Sequence, residues 1–355
     1  MTMADATVVI GRFSPYTLTH HAQLLNALQQ PGPIAVVIGS SFHARTPRDP
    51  FTWQERQAMI ELCLPEGAAR RIVFVPLRDY YDDERWAAIV KSAVERALPQ
   101  SRRLQLVPTS TQNLECYREW LPEWPQVEPQ GPAVDDRALL RVLLSRDEAS
   151  TEGIAPRPDP IEIALAVAAP MLPAQMPGYL RAWAKLPHYA EMVAEQRFND
   201  EEDAKWKGAP YPPTFTTVDS VVTAAGHVLL VRRRNRPGQG LWALPGGFLD
   251  PHERLLASAV RELHEETSIG IPFATFRRRL KDVVVFDHPD RAMRARTITH
   301  VHYFELQDEK LPGVEGTDDA AHAQWVPIAA LPAMEAEFFE DHFHILDHFF
   351  RLTQV

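Results

Sequence analysis

Apolar runs of strand length and apolar spacings of helical period alternate through the first third of this chain. The runs fall at residues 6–10, Ile34–Ile38, Ile72–Val75 and Leu104–Val107, each rich in β-branched residues. Between them, Trp53–Leu64 carries Ala58, Met59, Leu62 and Cys63, and Glu84–Leu98 carries Trp86, Ile89, Val90, Ala93 and Val94, both at helical spacing. Strands alternating with helices of this length predict a parallel α/β sheet. The pattern fades near residue 145. Ser145–Pro177, rich in proline, alanine and charge, reads as irregular, and Tyr179–Trp206 returns to a helical, charged texture. Lys207–Pro213 is a cluster of structure breakers. Beyond it the texture turns to strands, at Thr214–Val222, Val228–Arg232, Val283–Phe286, His300–Leu306 and Gln324–Val326, with one strong helix at about Leu255–Thr267. This predicts an α/β domain over 1–178, a helical connector over 179–210 and an α+β domain over 211–355.

Composition fits two globular domains. The chain has 355 residues, 45% of them apolar and 24% charged, enough for two cores at roughly 100–200 residues per domain. Its 31 prolines imply many loops. The 2 cysteines, Cys63 and Cys116, cannot build a disulfide framework, which points to a reducing, cytoplasmic setting. Met1–Gly11 lacks a basic start followed by a long apolar run, so no secretory signal is expected. The longest apolar stretch, Ile161–Leu172, is too short to span a bilayer. A net charge of −10 argues against general nucleic-acid binding, but leaves room for an anionic nucleotide held through a metal ion or a local basic patch.

One segment carries chemistry. Gly246-Gly247 is followed by Glu253 and, after seven residues, by Arg261-Glu262-Leu263-His264-Glu265-Glu266. On a helix, Glu262, Glu265 and Glu266 stand at i, i+3 and i+4 and share a face. Three carboxylates so close repel unless a hard divalent cation lies among them, and Mg²⁺ favours carboxylate oxygens together with substrate phosphates. Arg261 on a neighbouring face can reach back to Glu253. The glycine pair lets backbone approach a ligand closely. A loop, an acidic helix and a metal suit phosphate-bond chemistry.

This spacing resembles the Nudix box, G-x5-E-x7-R-E-U-x-E-E-x-G-U with U apolar, and meets eight of its nine specified positions; Ser268 replaces the last glycine. The resemblance implies a Nudix fold in which Glu262 and Glu266 bind Mg²⁺, with Mn²⁺ able to stand in. It makes Glu265 a further ligand or a base acting through water, and adds the Gly246 carbonyl to the ligand set. Arg261 and Glu253 complete the catalytic group. The flanking segments, Val231–Gly238, Gly240–Gly247, Val285–Arg291 and Arg296–His300, resemble the Nudix domains of bifunctional NMN adenylyltransferase/Nudix hydrolases, which favour ADP-ribose. For substrate binding, the four arginines Arg232, Arg233, Arg234 and Arg236 either cradle a diphosphate or form a solvated turn, Gly247 lines the approach, and Phe286 either stacks on adenine or packs in the core. His344 and His348, at i and i+4, read as part of a packed terminal helix rather than as a metal site.

The first half resembles the same family. Val9–His20 is similar to the G-R-F-x-P-x-H-x-G-H element of nucleotidyltransferases with a Rossmann-like sheet, matching at Gly11, Arg12, Phe13, Pro15 and His20; Thr17 and Thr19 replace a histidine and a glycine. Gly39-Ser40-Ser41, Pro50–Arg56, Pro76–Tyr80 and Arg85-Trp86 also look familial. Two later elements depart. Pro108–Gln112 stands where the family has Gly-His and Lys-Asp pairs. Asp135–Arg141 stands for I-S-x-T-x-I-R, with Arg141 on the arginine and Asp136 on the serine. The resemblance therefore implies a degenerate nucleotide site of Gly11, Arg12, Phe13, His20 and Arg141 beside a working hydrolase, with a small-molecule nucleotide as partner. A homodimer through the Nudix half remains open. Two rivals stand beside this reading: a fully bifunctional enzyme that also makes NAD from NMN and ATP, and a non-catalytic sensor of ADP-ribose or NAD.

Overall fold

The computed structural model describes residues 4–109, 114–145, 159–306 and 310–353. The chain forms two compact units, Met1–Arg197 and Phe198–Val355.

The first unit is built on a four-stranded sheet of β1 (Ala6–Gly11), β2 (Ile34–Ile38), β3 (Ile72–Pro76) and β4 (Leu104–Pro108), in the order β3-β2-β1-β4. All the pairings are parallel, with Val9 beside Val36 and Val8 beside Leu106. Every residue of β2 is buried, as a parallel sheet covered on both faces requires. Strand alternation divides its side chains between two apolar clusters. Val9, Val36 and Val107 pack with Met59 and Ile60 of helix α2 (Trp53–Cys63). On the other face, Val8, Val37 and Leu106 pack with Val90 and Val94 of α3 (Asp83–Ala97). Helix α1 (Leu18–Gln29) follows β1, and α4 (Leu114–Trp120) and α5 (Asp136–Leu144) follow β4. Because β2 and β4 flank β1, the chain leaves β1 toward both sides, and the crevice at the carboxyl ends of β1 and β4 is the place where such sheets hold ligands.

The expected irregular stretch Ser145–Pro177 is corrected in its described part. Helix α6 (Pro160–Ala168), a 3-10 turn (Ala169–Met171) and the start of α7 (Met176–Trp183) lie there; the rest, 146–158, falls outside the described residues. The proline-rich composition concealed a helical face. Ile161, Ala164, Leu165 and Ala168 recur at helical spacing and are buried with Leu139 and Leu143 of α5. Pro160 sits in the first turn of α6, where a missing N–H costs nothing. Helix α8 (Pro187–Ala204) then runs across the division between the units.

The second unit holds a mixed sheet in the order β11-β6-β5-β10-β9. It is made from β5 (Thr214–Ala224), β6 (His227–Arg233), β9 (Leu280–Phe286), β10 (Arg296–Glu305) and β11 (Ala320–Pro327). Two short strands join it: β7 (Trp242–Ala243) pairs with β6, and β8 (Gly246–Phe248) with β5. Only β5 and β10 run parallel. Val222 and Leu229 face Val260 and Leu263 of α9 (Leu255–Thr267) and Phe276 of α10 (Phe273–Arg279). On the opposite face, Val221, Val228 and Leu230 pack with Phe343, Ile345 and Leu346 of α11 (His342–Phe350). The terminal histidines thus belong to a packed helix: His342 accepts from the Leu244 N–H at 2.8 Å, and His348 packs edge-on against Phe286. A buried Arg291–Asp341 pair, bonded through two hydrogen bonds of 2.8 Å, ties the loop before β10 to the start of α11.

Candidate active site

The acidic segment folds as the helix α9, with Ser258, Ala259, Val260 and Leu263 facing the core. That choice of face turns Glu262 and Glu265 outward and brings Glu266 to the edge of the sheet, where it is 7% exposed. Strand β8 lies against it. Gly246 donates its N–H to Glu266 Oε2 at 3.0 Å. A Cβ on Gly247 would stand 2.7 Å from the Glu262 carboxyl carbon and would push that carboxylate aside, whereas one on Gly246 would run into the Val218 backbone carbonyl, so the first glycine is the one the backbone requires.

Arg261 organises the remaining charges. Its Nε donates to Glu253 Oε2 at 2.9 Å, and its Nη1 reaches Glu265 Oε2 at 2.7 Å and Glu262 Oε1 at 3.0 Å. The expected reach from Arg261 back to Glu253 is therefore present. These carboxylates outweigh burial and hold the guanidinium above its usual range. Glu266 has no such partner. Burial first, and the nearby Glu262 charge, push its carboxyl up to about 8 against the Gly246 N–H. Burial also raises Glu262, partly offset by Arg261.

Among the described residues no three acidic, histidine or cysteine side chains converge as a ready cage for a metal ion. The donor set nonetheless fits a hard divalent cation. Burial raises both carboxylates and the Glu262 charge raises Glu266 further, a cost that a cation between them removes, and Mg²⁺ needs only one or two carboxylates when phosphates and waters fill the rest.

The arginines expected to cradle a diphosphate are placed differently from one another. Arg232 lies 5.1 Å from the Trp242 ring and donates to the Gly240 carbonyl at 2.7 Å. Arg234 donates to the Ala320 carbonyl at 3.0 Å. Arg236 follows in the exposed turn. Their neighbour Arg233 lies over the Phe339 ring at 4.2 Å, within the field of Glu340 and Glu266. Burial holds it below the usual guanidinium range. Phe286 packs against the α11 side of the core, 5.4 Å from His348.

Ser268 explains the one departure from the box. It caps α9 in the left-handed region at φ +50°, the conformation for which glycine is suited. Ser268→Gly is expected to raise the stability of the chain by about 0.5–1 kcal/mol, read as a higher denaturant midpoint.

In the first unit, Gly11 ends β1, Phe13 is fully buried at φ +56°, and Arg12 is exposed beside the crevice. His20 is also buried. Its Nδ1 accepts from the Thr17 N–H at 3.1 Å, and its Nε2 lies 3.4 Å from Asp136 Oδ2. Burial pushes His20 down to about 4 and Asp136 up to about 7. Asp135 caps α5 by accepting from the Ala138 N–H at 3.0 Å. Arg141 is exposed in the last turn of α5. Of the departing Pro108–Gln112 segment, Thr109 bonds the Ile10 carbonyl at 2.8 Å, and 110–113 lie outside the described residues.

Comparison with known proteins agrees with both halves. A cytidylyltransferase-like family model matches residues 8–93, and a NUDIX domain model matches residues 213–349. The fold and site therefore define a chain that joins a nucleotidyltransferase-like domain to a Nudix domain. A bifunctional NMN adenylyltransferase/ADP ribose pyrophosphatase from Francisella tularensis, solved with AMP and a manganese ion, superposes with a TM-score of 0.84 at 28% identity, covering 98% of this chain and 99% of that one. The similarity to that bifunctional protein therefore runs through both the cytidylyltransferase-like and the NUDIX parts of the chain. It is 32% identical over 124 residues to a nicotinamide/nicotinic acid mononucleotide adenylyltransferase from Acinetobacter baylyi, covering 35% of this chain and 66% of that protein. It is 32% identical over 118 residues to an ADP-ribose pyrophosphatase from Methanocaldococcus jannaschii, covering 33% of this chain and 64% of that protein. The chain thus spans slightly less than two thirds of these curated relatives. Among the described residues no helix is long and apolar enough to cross a membrane.

Proposed function

We propose that the chain hydrolyses the pyrophosphate of ADP-ribose, or of a related nucleoside diphosphate derivative, giving AMP and ribose 5-phosphate. The observation that carries this reading is the pair of carboxylates, half-buried Glu262 and buried Glu266, set against the Gly246-Gly247 strand and flanked by the Arg261 hub. Glu262, Glu266 and the Gly246 carbonyl would hold Mg²⁺, or Mn²⁺ in its place. The bound ion supplies charge stabilisation at the phosphoryl oxygens and a more acidic water. Arg261 fixes Glu253, Glu262 and Glu265 in their relative positions. Gly247 leaves room for the Glu262 carboxylate, and Glu265, exposed at the end of the Arg261 bridge, takes a proton from water. Arg232, Arg234 and Arg236 add positive charge at the end of β6. We read the setting as cytoplasmic, since Cys63 and Cys116 are both free thiols.

Incubation with ADP-ribose and Mg²⁺, followed by separation of products, tests the reading. AMP and ribose 5-phosphate in equal amounts, lost on adding a chelator, are expected; no turnover would refute it. We further infer that hydrolysis needs the second unit alone, because all the residues named lie within it. A chain of 198–355 is expected to fold and keep the parental rate, compared at matched mass in solution so that a homodimer contact is seen as well.

A further inference from the structure

We infer that a cleft lined by Glu202, Trp206, Phe215, Phe248, Arg294 and Thr297 holds the purine base of the substrate. This inference rests on the hydrolase reading and names the part of the substrate that the catalytic carboxylates do not touch.

Sheet register builds the cleft. Phe215 of β5 pairs with Thr297 of β10, and Thr217, two residues along the same face, pairs with Phe248 of β8. The three aromatic rings meet edge to face, Trp206 on Phe215 at 5.3 Å and Phe215 on Phe248 at 5.5 Å. The Arg294 guanidinium lies 5.4 Å from the Phe248 ring. Trp206 and Phe248 nevertheless remain 45% and 47% exposed, so these rings present faces that the fold does not use. Aromatic faces beside a guanidinium plane are the surface on which a nucleobase stacks.

The size and position select a base rather than a whole nucleotide. The cleft holds about 250 Å³, below the roughly 300–1,000 Å³ of sites that enclose a complete small ligand. Phe248 directly follows Gly247, which touches Glu262. Strand alternation turns Phe248 to the face opposite α9. A diphosphate at Glu262 and Glu266 therefore passes the glycine pair to bring its nucleoside end to Phe248. Glu202 places a carboxylate at the rim. Its bridge to Lys205 is exposed and weak, so it can accept from the amine of an aminopurine. The cleft thus favours adenine over a base that offers only carbonyls.

Two measurements separate this inference from the hydrolase reading. The first is tryptophan fluorescence during titration with AMP in a chelator, which needs no turnover. Quenching is expected in the parent chain and is expected to be largely lost in Trp206→Phe; full quenching in that variant would overturn the inference. The second compares ADP-ribose with the pyrophosphate of two ribose 5-phosphate units, which has no base. Phe248→Ala is expected to raise KM for ADP-ribose by about tenfold with kcat within about twofold, and to leave KM for the base-free substrate unchanged. Phe248→Tyr is expected to restore the parental KM. Equal shifts for both substrates, or none for ADP-ribose, would show that Phe248 does not meet the base. If the parent chain hydrolyses neither compound, the hydrolase reading falls, while the AMP titration still decides the cleft.

Discussion

Glu266→Gln is expected to slow ADP-ribose hydrolysis at saturating Mg²⁺ by at least about a hundredfold, or about 2.7 kcal/mol of transition-state stabilisation. The reason lies in the surroundings of this carboxylate. Glu266 is buried, receives a hydrogen bond from the Gly246 N–H, and is pushed up to about 8 because burial and Glu262 both disfavour its charge. A carboxylate kept at such a cost beside another is poised for a cation. Glutamine preserves the shape and can still accept from Gly246 through its carbonyl oxygen, but it contributes no charge to a metal. The fold is expected to survive, because the variant removes a repelling group, and an unchanged denaturant midpoint would show this. Turnover at the parental rate in a folded variant would remove Glu266 from the metal site.

The first unit is expected to form no NAD from NMN and ATP, even at high protein concentration. A triphosphate needs positive charge and free N–H groups at the helix ends of the crevice. Here His20 is neutral near pH 7, because burial has pushed it down to about 4. Its Nδ1 is already engaged by the Thr17 N–H, and Asp136 stands 3.4 Å from its Nε2. The start of α5 is likewise occupied, since Asp135 accepts from the Ala138 N–H. Asp136, when ionised about 4 Å from a phosphate oxygen, costs on the order of 4 kcal/mol per charge pair at an effective dielectric of 20, and with its carboxyl raised to about 7 this cost grows as pH rises through neutrality. The measurement is product separation after long incubation with Mg²⁺. Steady NAD formation that disappears in His20→Ala would overturn the degenerate-site reading and establish a bifunctional enzyme.

The local pattern of the sequence carried much of this. Strand β2 lies at Ile34–Ile38 and α9 at Leu255–Thr267, as their apolar spacings predict. Both signals come from neighbours in the chain: a continuous β-branched run buried on two faces, and an apolar stripe that leaves three glutamates together. The Arg261–Glu253 bridge was legible for the same reason, since the two stand only eight positions apart along the loop and helix. Helix α6 and the first turn of α7 were hidden by composition. Their prolines lie in first turns, where they are compatible with a helix, and so do not signal the break that proline signals elsewhere.

What the tertiary structure alone decided depends on groups brought together from far apart. Asp136 faces His20 across 116 residues because α5 returns to the crevice beside α1. Sequence gives the glutamates their spacing, but only the packing of α9 on the sheet makes Glu266 the desolvated one and leaves Glu265 to Arg261. Phe286, a candidate for base stacking by its place in the chain, faces α11, whereas Phe248, Phe215 and Trp206 gather in an open cleft. The face a strand residue takes is fixed by register, and register in this sheet is set by the parallel pairing of β5 with β10 across some eighty residues. The sequence by itself determined the division into an α/β and an α+β half and the spacing of the carboxylates on α9, because those signals are local. Charge state, burial and the candidate base cleft were decided by long-range packing, because desolvation and contact depend on atoms that the chain brings in from elsewhere.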